Sequence, residues 1–259
     1  MKIITFFSEK GGVGKTTFSS MFASWLAYAK KEKVYVFDFD FPGYQMTNMR
    51  NRDLGIFEKE DNQLAQLASG NDFFQIAQIP GDYKGYKDAH LQDIAEKISG
   101  MKKLDGYTVM DFPGRFLKCD PAYYLIKVGL IDLIVFPITT DIQSISSALN
   151  LTNIIRNPKS IPGGKDQSIL YMWNMETANE RKGKKDWYAT YDHLFESMNI
   201  PVASFRMRDI EILRRDPPTF GFVRNTLCWP EVNVKMRCPY VEDLFSEIKQ
   251  TLDETGDKK

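Results

Sequence analysis

The sequence predicts an α/β protein built on one doubly wound, mostly parallel sheet with helices on both faces. Two observations carry this. Short β-rich runs alternate with stretches of helical periodicity, the order that produces βαβ units. No internal repeat, low-complexity tract or linker rich in Pro, Gly and Ser breaks the alternation. A single domain spanning 1–259 is therefore expected, with strands at Ile3 to Phe7, Val34 to Asp38, Phe73 to Ile79, Tyr107 to Asp111, Leu133 to Pro137, Ile169 to Asn174 and Pro201 to Phe205.

Between the first two strands, Phe18, Met21, Phe22, Trp25, Leu26 and Ala29 follow the i, i+3, i+4, i+7 spacing of a helix that buries one face. The same pattern places a helix on Trp187, Tyr191, Leu194, Phe195 and Met198, and another on Val241, Leu244, Phe245, Ile248 and Leu252. These apolar stripes read as core.

Composition narrows the role. Lys+Arg and Asp+Glu balance at 34 each, so any contact with nucleic acid has to come from a local patch. The three cysteines, Cys119, Cys228 and Cys238, have no CxxC spacing and give neither a disulfide framework nor a zinc or iron–sulfur signature. The amino terminus lacks the length and cleavage site of a signal peptide. The most apolar stretch, Tyr123 to Ile138, is interrupted by Lys127 and Asp132, and a cytoplasmic protein is expected.

Chemistry is concentrated in "SEKGGVGKTTFSS", residues 8–20. Glu9 stands where the pattern GxxxxGK[ST] has its first glycine, but the remainder is intact: strand, glycine-rich turn, Lys15, Thr16, then helix. Glycines allow φ > 0 and let backbone N–H groups approach phosphate oxygens, and the helix N-terminus adds partial positive charge. Gly11, Gly12, Val13, Gly14, Lys15, Thr16 and Thr17 are the expected phosphate-binding residues, with Lys15 on the β- and γ-phosphates and the Thr16 hydroxyl on Mg²⁺.

The octet K-G-G-V-G-K-T-T at 10–17 resembles the deviant Walker A motif of the ParA/MinD family of P-loop ATPases, and especially the short, Soj-like partition members. The resemblance runs in recognisable order over about residues 1–205. It implies ATP and Mg²⁺ as ligands, slow hydrolysis stimulated by a partner protein, and a homodimer that sandwiches ATP. In that dimer Lys10, the signature lysine, would cross to the nucleotide of the partner subunit and act catalytically with Lys15, a cation in trans serving like an arginine finger.

Carboxylates at strand ends complete the expected site, since Mg²⁺ takes hard oxygen ligands, often through water. "VYVFDFDFPG" ends in Asp38 and Asp40, and "YTVMDFPG" in Asp111, an arrangement resembling Walker B. By resemblance Asp38 and Asp111 hold Mg²⁺ through waters and Asp40 orients the attacking water. The stretch Phe41-Pro42-Gly43-Tyr44-Gln45 departs from the D-x-D-P-Q-G-N of many ParA proteins. Asn174, ending a late strand, occupies the place of an Asn that pairs with adenine in family members; its amide suits the N6/N1 or N6/N7 edge.

Within the resemblance several roles separate. The last helix presents Glu242, Asp243 and Glu247 on its polar side, unlike the basic membrane helix of MinD-like proteins, so no stable membrane anchoring is expected. Cys119 has no companion to bridge a metal cluster. The first strand begins at about residue 2 or 3, which leaves no room for an N-terminal helix-turn-helix domain. The expected function is partition or positioning of DNA, with nonspecific duplex binding through Arg206, Arg208, Arg214 and Arg215; the cluster Arg181 to Lys185 is a second candidate patch. The alternatives are a nucleotide-gated scaffold for a conjugation, secretion or polysaccharide machine, or a metal-centre maturation or ligase-type enzyme of the same fold.

Overall fold

The computed structural model describes residues 1–57, 74–81, 86–162, 164, 167–209 and 240–255, with backbone only at 52–57. Its strands are β1 (Lys2–Phe6), β2 (Val34–Asp38), β3 (Ile76–Gln78), β4 (Tyr107–Asp111), β5 (Leu133–Ile138) and β6 (Ser168–Trp173). They form one parallel sheet in the order β3-β2-β4-β1-β5-β6. The helices are α1 (Lys15–Ser24), α2 (Gln45–Phe57), α3 (Asp88–Met101), α4 (Pro121–Lys127), α5 (Ile142–Arg156), α6 (Ala178–Gly183), α7 (Lys185–Ser197) and α8 (Val241–Glu254). The α/β, doubly wound fold read from the sequence is the fold observed.

Both faces of the sheet are buried, which explains why the central strands read as continuous apolar runs. Successive residues of β1 and β5 alternate between two cores. Ile3, Ile134 and Phe136 pack with α3, α4, α5 and α7. Ile4, Phe6, Leu133 and Val135 pack with α1 and α8. From β1 the chain moves outward to β2 and β3, with α1 and α2 contributing to the second core, and then returns through α3 and α4 on the first. Right-handed crossovers demand this reversal of face when the direction of strand addition reverses. The reversal occurs beside β1, and there, beyond the carboxyl ends of the strands, a crevice opens.

Three elements differ from the sequence expectation. The first helix ends in a π-helical turn at Trp25–Ala29. The extra residue per turn brings Tyr28 into the core and leaves Ala29 exposed, reversing the places that regular periodicity assigns them. The segment expected as a seventh strand at 201–205 pairs with β6 and its extension only through isolated bridges, Tyr171 with Val202 and Glu176 with Arg208. The third β-run is shortened to Ile76–Gln78, and Phe73 lies outside the described residues.

Candidate functional site

The loop between β1 and α1 is shaped by two glycines in left-handed conformation, Gly12 at φ 76° and Gly14 at φ 93°. Gly14 caps α1, and its carbonyl accepts from Phe18 N at 2.9 Å. Glu9 is exposed and has no positive φ, so this position does not require the glycine of the standard pattern. The first turn of α1 holds no acidic residue to offset the partial positive charge of its N–H groups. Above the loop lies a cavity of about 470 Å³. Gly11, Gly12, Gly14, Lys15, Thr16 and Thr17 form its floor.

The expected carboxylates converge beside this floor because β2 and β4 are in register, Asp38 opposite Asp111. Asp111 is fully buried and accepts from Thr16 Oγ1 at 2.9 Å and Ser19 Oγ at 3.3 Å. Burial above all, with the charges of Asp38 and Asp40, pushes its carboxyl up to about 7, while the two hydroxyls oppose the rise. Asp40 lines the cavity; burial and then Asp38 raise its pKa, and Lys15 and Arg115 counter them. Lys15 is pulled below the usual range by burial, against the attraction of Asp111 and Asp40. Its Nζ lies 3.3 Å from the carbonyl of Lys10.

Asp38, also fully buried, is engaged by the protein itself. Its carboxylate accepts from Thr47 N at 3.0 Å, Thr47 Oγ1 at 2.9 Å and Asp40 N at 3.1 Å. It thereby caps α2 from across the turn and braces the backbone of Asp40. That turn, at 41–45 where the sequence leaves the ParA pattern, contains a cis Phe41–Pro42 bond and Tyr44 at φ 40°. Tyr44 OH donates to the carbonyl of Ile79 at 3.2 Å.

Lys10 points away from its own phosphate loop and pairs with Asp141, the N-cap of α5. Asp141 also accepts from Gln143 N at 2.9 Å. Next to it, Thr140 Oγ1 donates to Glu180, which completes a capping box with Thr177 at the start of α6. Burial opposes ionisation of Glu180, but the hydrogen bonds from Thr140, Thr177 and Lys184 hold its carboxyl down at about 2. Sequence reasoning missed Asp141; the signal was an Asp followed by Ile142 and Gln143 after an apolar run, the form of an N-cap.

At the far end of the cavity, Asn174 follows β6 and is almost wholly buried. Its Nδ2 donates to the Val13 carbonyl at 2.8 Å and its Oδ1 accepts from Met175 N at 2.7 Å. Arg208, one of the expected DNA contacts, lines this end together with Asp209 and lies over the Tyr240 ring; its place at the cavity was not legible in the sequence. Arg206 is occupied within the protein: it contacts Glu176 at 3.6 Å and Asp192 at 3.3 Å and stacks on Tyr188 at 4.1 Å. Arg214 and Arg215 lie outside the described residues. In the cluster Arg181 to Lys185, Lys182 and Lys185 are exposed, and Lys184 pairs with Glu180 at 3.0 Å.

Among the described residues no helix is long and apolar enough to cross a membrane, and the apolar stripe of α8 is spent in the core. Nor do three or more His, Cys, Asp or Glu side chains form a ready-made metal cage there.

Residues 1–91 match a family model described as an AAA domain. No curated protein sequence matches the chain. Its fold is shared with solved structures. The MinC:MinD cell division protein complex of Aquifex aeolicus matches at TM-score 0.63 and 14% identity, over 98% of this chain and 96% of that one. A putative plasmid partition protein of Borrelia burgdorferi bound to AMPPNP matches at 0.60 and 18%, over 99% and 98%. An ATP complex of Cyanothece McdA matches at 0.62 and 15%, over 98% and 96%. The resemblance to ParA and MinD read from the octet at 10–17 thus extends to the architecture of the chain.

Proposed function

We propose that this chain is a single-domain, Mg²⁺-dependent ATPase switch of the ParA/MinD kind that dimerises around ATP and serves the positioning of DNA. The observation that carries the reading is the convergence of Lys15, Thr16 and Asp40 in the lining of one cavity over a glycine loop, with Asp111 buried behind Thr16 and bonded to its hydroxyl. The similar Borrelia and Cyanothece proteins, solved with AMPPNP and ATP, support a nucleotide there.

The residues fit Mg²⁺–ATP. Loop N–H groups and Lys15 receive phosphate oxygens. Thr16 and Asp111 supply the hard oxygens that Mg²⁺ requires, directly or through water, and Asp38 adds its charge from behind. When bound, Mg²⁺ neutralises charge on the β- and γ-phosphoryl oxygens. Lys15 holds the γ-phosphoryl group in place, and Asp40 accepts a hydrogen bond from the attacking water. Lys10, released from Asp141, completes the charge around the partner's nucleotide. The exposed Ile142, in the first turn of α5, and Leu117, in the loop after β4, support closure of a second copy over this end of the sheet.

Calorimetry with Mg²⁺–ATP tests the site and light scattering in ATP tests the dimer; a wild-type chain that neither binds nor dimerises refutes the reading. The DNA component rests on the exposed Lys182 and Lys185, with Arg208, which lines the cavity, and Arg214 and Arg215 as further candidates. The commitment of Arg206 to Glu176 and Asp192 favours a second reading, the same switch gating a protein scaffold without DNA. Anisotropy titration of unrelated duplexes with the ATP-bound dimer decides between them: binding that falls steeply with salt supports DNA positioning, and none at low salt supports the scaffold.

A further inference from the structure

Asn174 is bound at both ends of its amide by groups that do not belong to any nucleotide. From its place after the last rung of the sheet, where its own N–H donates to the Ile138 carbonyl at 2.7 Å, it reaches back to the Val13 carbonyl at 2.8 Å. The Val13–Gly14 peptide is planar and trans, so its carbonyl and the Gly14 N–H point in opposite directions. Gly14, at φ 93° and without a Cβ, does not fix by itself which way this unit faces. A flipped peptide would put a carbonyl where a phosphate-binding loop needs a donor. The contact to Asn174 holds the carbonyl on the Asn174 side and the N–H away from it. Space is tight there: a Cβ on Gly14 would lie 3.0 Å from Asn174 Nδ2.

The other end of the amide has an equally local task. Met175 has φ 59°, a left-handed conformation that a long side chain adopts rarely, and its N–H donates to Asn174 Oδ1 at 2.7 Å. This turn directs the chain from β6 toward Thr177 and α6. Each heteroatom keeps one further site, a second N–H and a second lone pair, so the clasp to Val13 and Met175 leaves part of the amide open to the cavity.

We infer that Asn174 is a positioning residue for the phosphate loop, fixing the Val13–Gly14 peptide for any triphosphate whether or not a base follows it. The inference rests on the proposed nucleotide site. Its test is calorimetric titration of wild type, Asn174→Ala and the milder Asn174→Ser with three Mg²⁺ complexes: ATP, GTP and inorganic tripolyphosphate, which has no base. Losing the donor to a buried carbonyl should weaken every complex that wild type binds, tripolyphosphate included, by about five- to a hundredfold. Hydrogen exchange of the ligand-free variants should speed up over residues 10–18 and remain unchanged in β5 and β4.

A loss confined to ATP, with tripolyphosphate affinity unchanged, overturns the inference and leaves Asn174 a base-reading role alone. Wild type that binds none of the three refutes the nucleotide site itself. The exchange data then still judge the clasp, because unaltered exchange over 10–18 in both variants overturns it.

Discussion

Asp141→Asn should tighten ATP-dependent dimerisation. In the single chain Lys10 is held by Asp141, with the lysine side chain 28% and the aspartate 47% exposed. If Lys10 serves the partner's nucleotide, each subunit must break this pair before the dimer can close. Exposed pairs are worth about 0.2–1 kcal/mol, and the half-exposed aspartate argues for the lower half of that range. Two pairs released per dimer then amount to about 0.4–1 kcal/mol, or roughly two- to fivefold in the dimer dissociation constant. Asparagine keeps the N-cap of α5, because its side-chain oxygen can still accept from Gln143 N, so the substitution removes charge without removing the cap.

Sedimentation equilibrium with a non-hydrolysable ATP analogue measures the effect, which should shrink as salt screens the pair in the wild type. Lys10→Ala should dimerise poorly whether or not Asp141 is changed. An Asp141→Asn protein that dimerises no better than wild type at low salt would refute the claim that this pair opposes closure. A Lys10→Ala protein that is also tightened by the second change would place the effect of Asp141 somewhere other than on Lys10.

Lys15→Ala should abolish detectable Mg²⁺–ATP binding by calorimetry while leaving the circular dichroism spectrum unchanged, since its ammonium makes a single long contact to the Lys10 carbonyl. Arg206→Ala should lower the melting temperature by about 2–10 °C, the equivalent of about 1–3 kcal/mol in a chain of this size, because it removes the cation beside the buried Glu176. Little change in melting would show that Arg206 is not a structural brace and would return it to the DNA candidates. For the ligand-free protein, the raised Asp111 carboxyl sets a sign: up to about 7 the folded state keeps a proton that the unfolded chain releases near 4. Its contribution to stability therefore declines as pH rises through that window. Denaturant titrations of wild type should show this decline and those of Asp111→Asn should lack it.

The parts of the fold that the sequence disclosed were those in which local pattern and tertiary role coincide. Apolar runs bounded by Asp38 and Asp111 became β2 and β4 with their ends where expected, because a parallel strand buried on both faces needs apolar residues throughout and polar ones only where it leaves the sheet. The glycine loop, Lys15 and Thr16 were legible for the same reason: strand, turn and helix follow one another in the chain. What was not legible depends on partners far away. Asp38 caps a helix that begins seven residues later, Lys10 finds Asp141, and Arg206 is claimed by Glu176 and Asp192. The expected strand at 201–205 failed because β6 engages that segment only at separated points.

The electrostatics of the cavity explain why metal and nucleotide should enter together. Burial raises the carboxyls of Asp111 and Asp40 and lowers Lys15, so around the glycine loop it disfavours both signs of charge. A bare triphosphate would satisfy Lys15 and the loop N–H groups, but it would bring more negative charge toward Asp40 and Asp111. A bare divalent cation would meet those carboxylates without the phosphate oxygens that help fill its coordination. Bound together, each ligand neutralises the half of the site that the other leaves uncompensated. Positive coupling between Mg²⁺ and ATP thus follows from the placement of β2 and β4 in register, which puts Asp38 and Asp111 side by side at the mouth of the glycine loop.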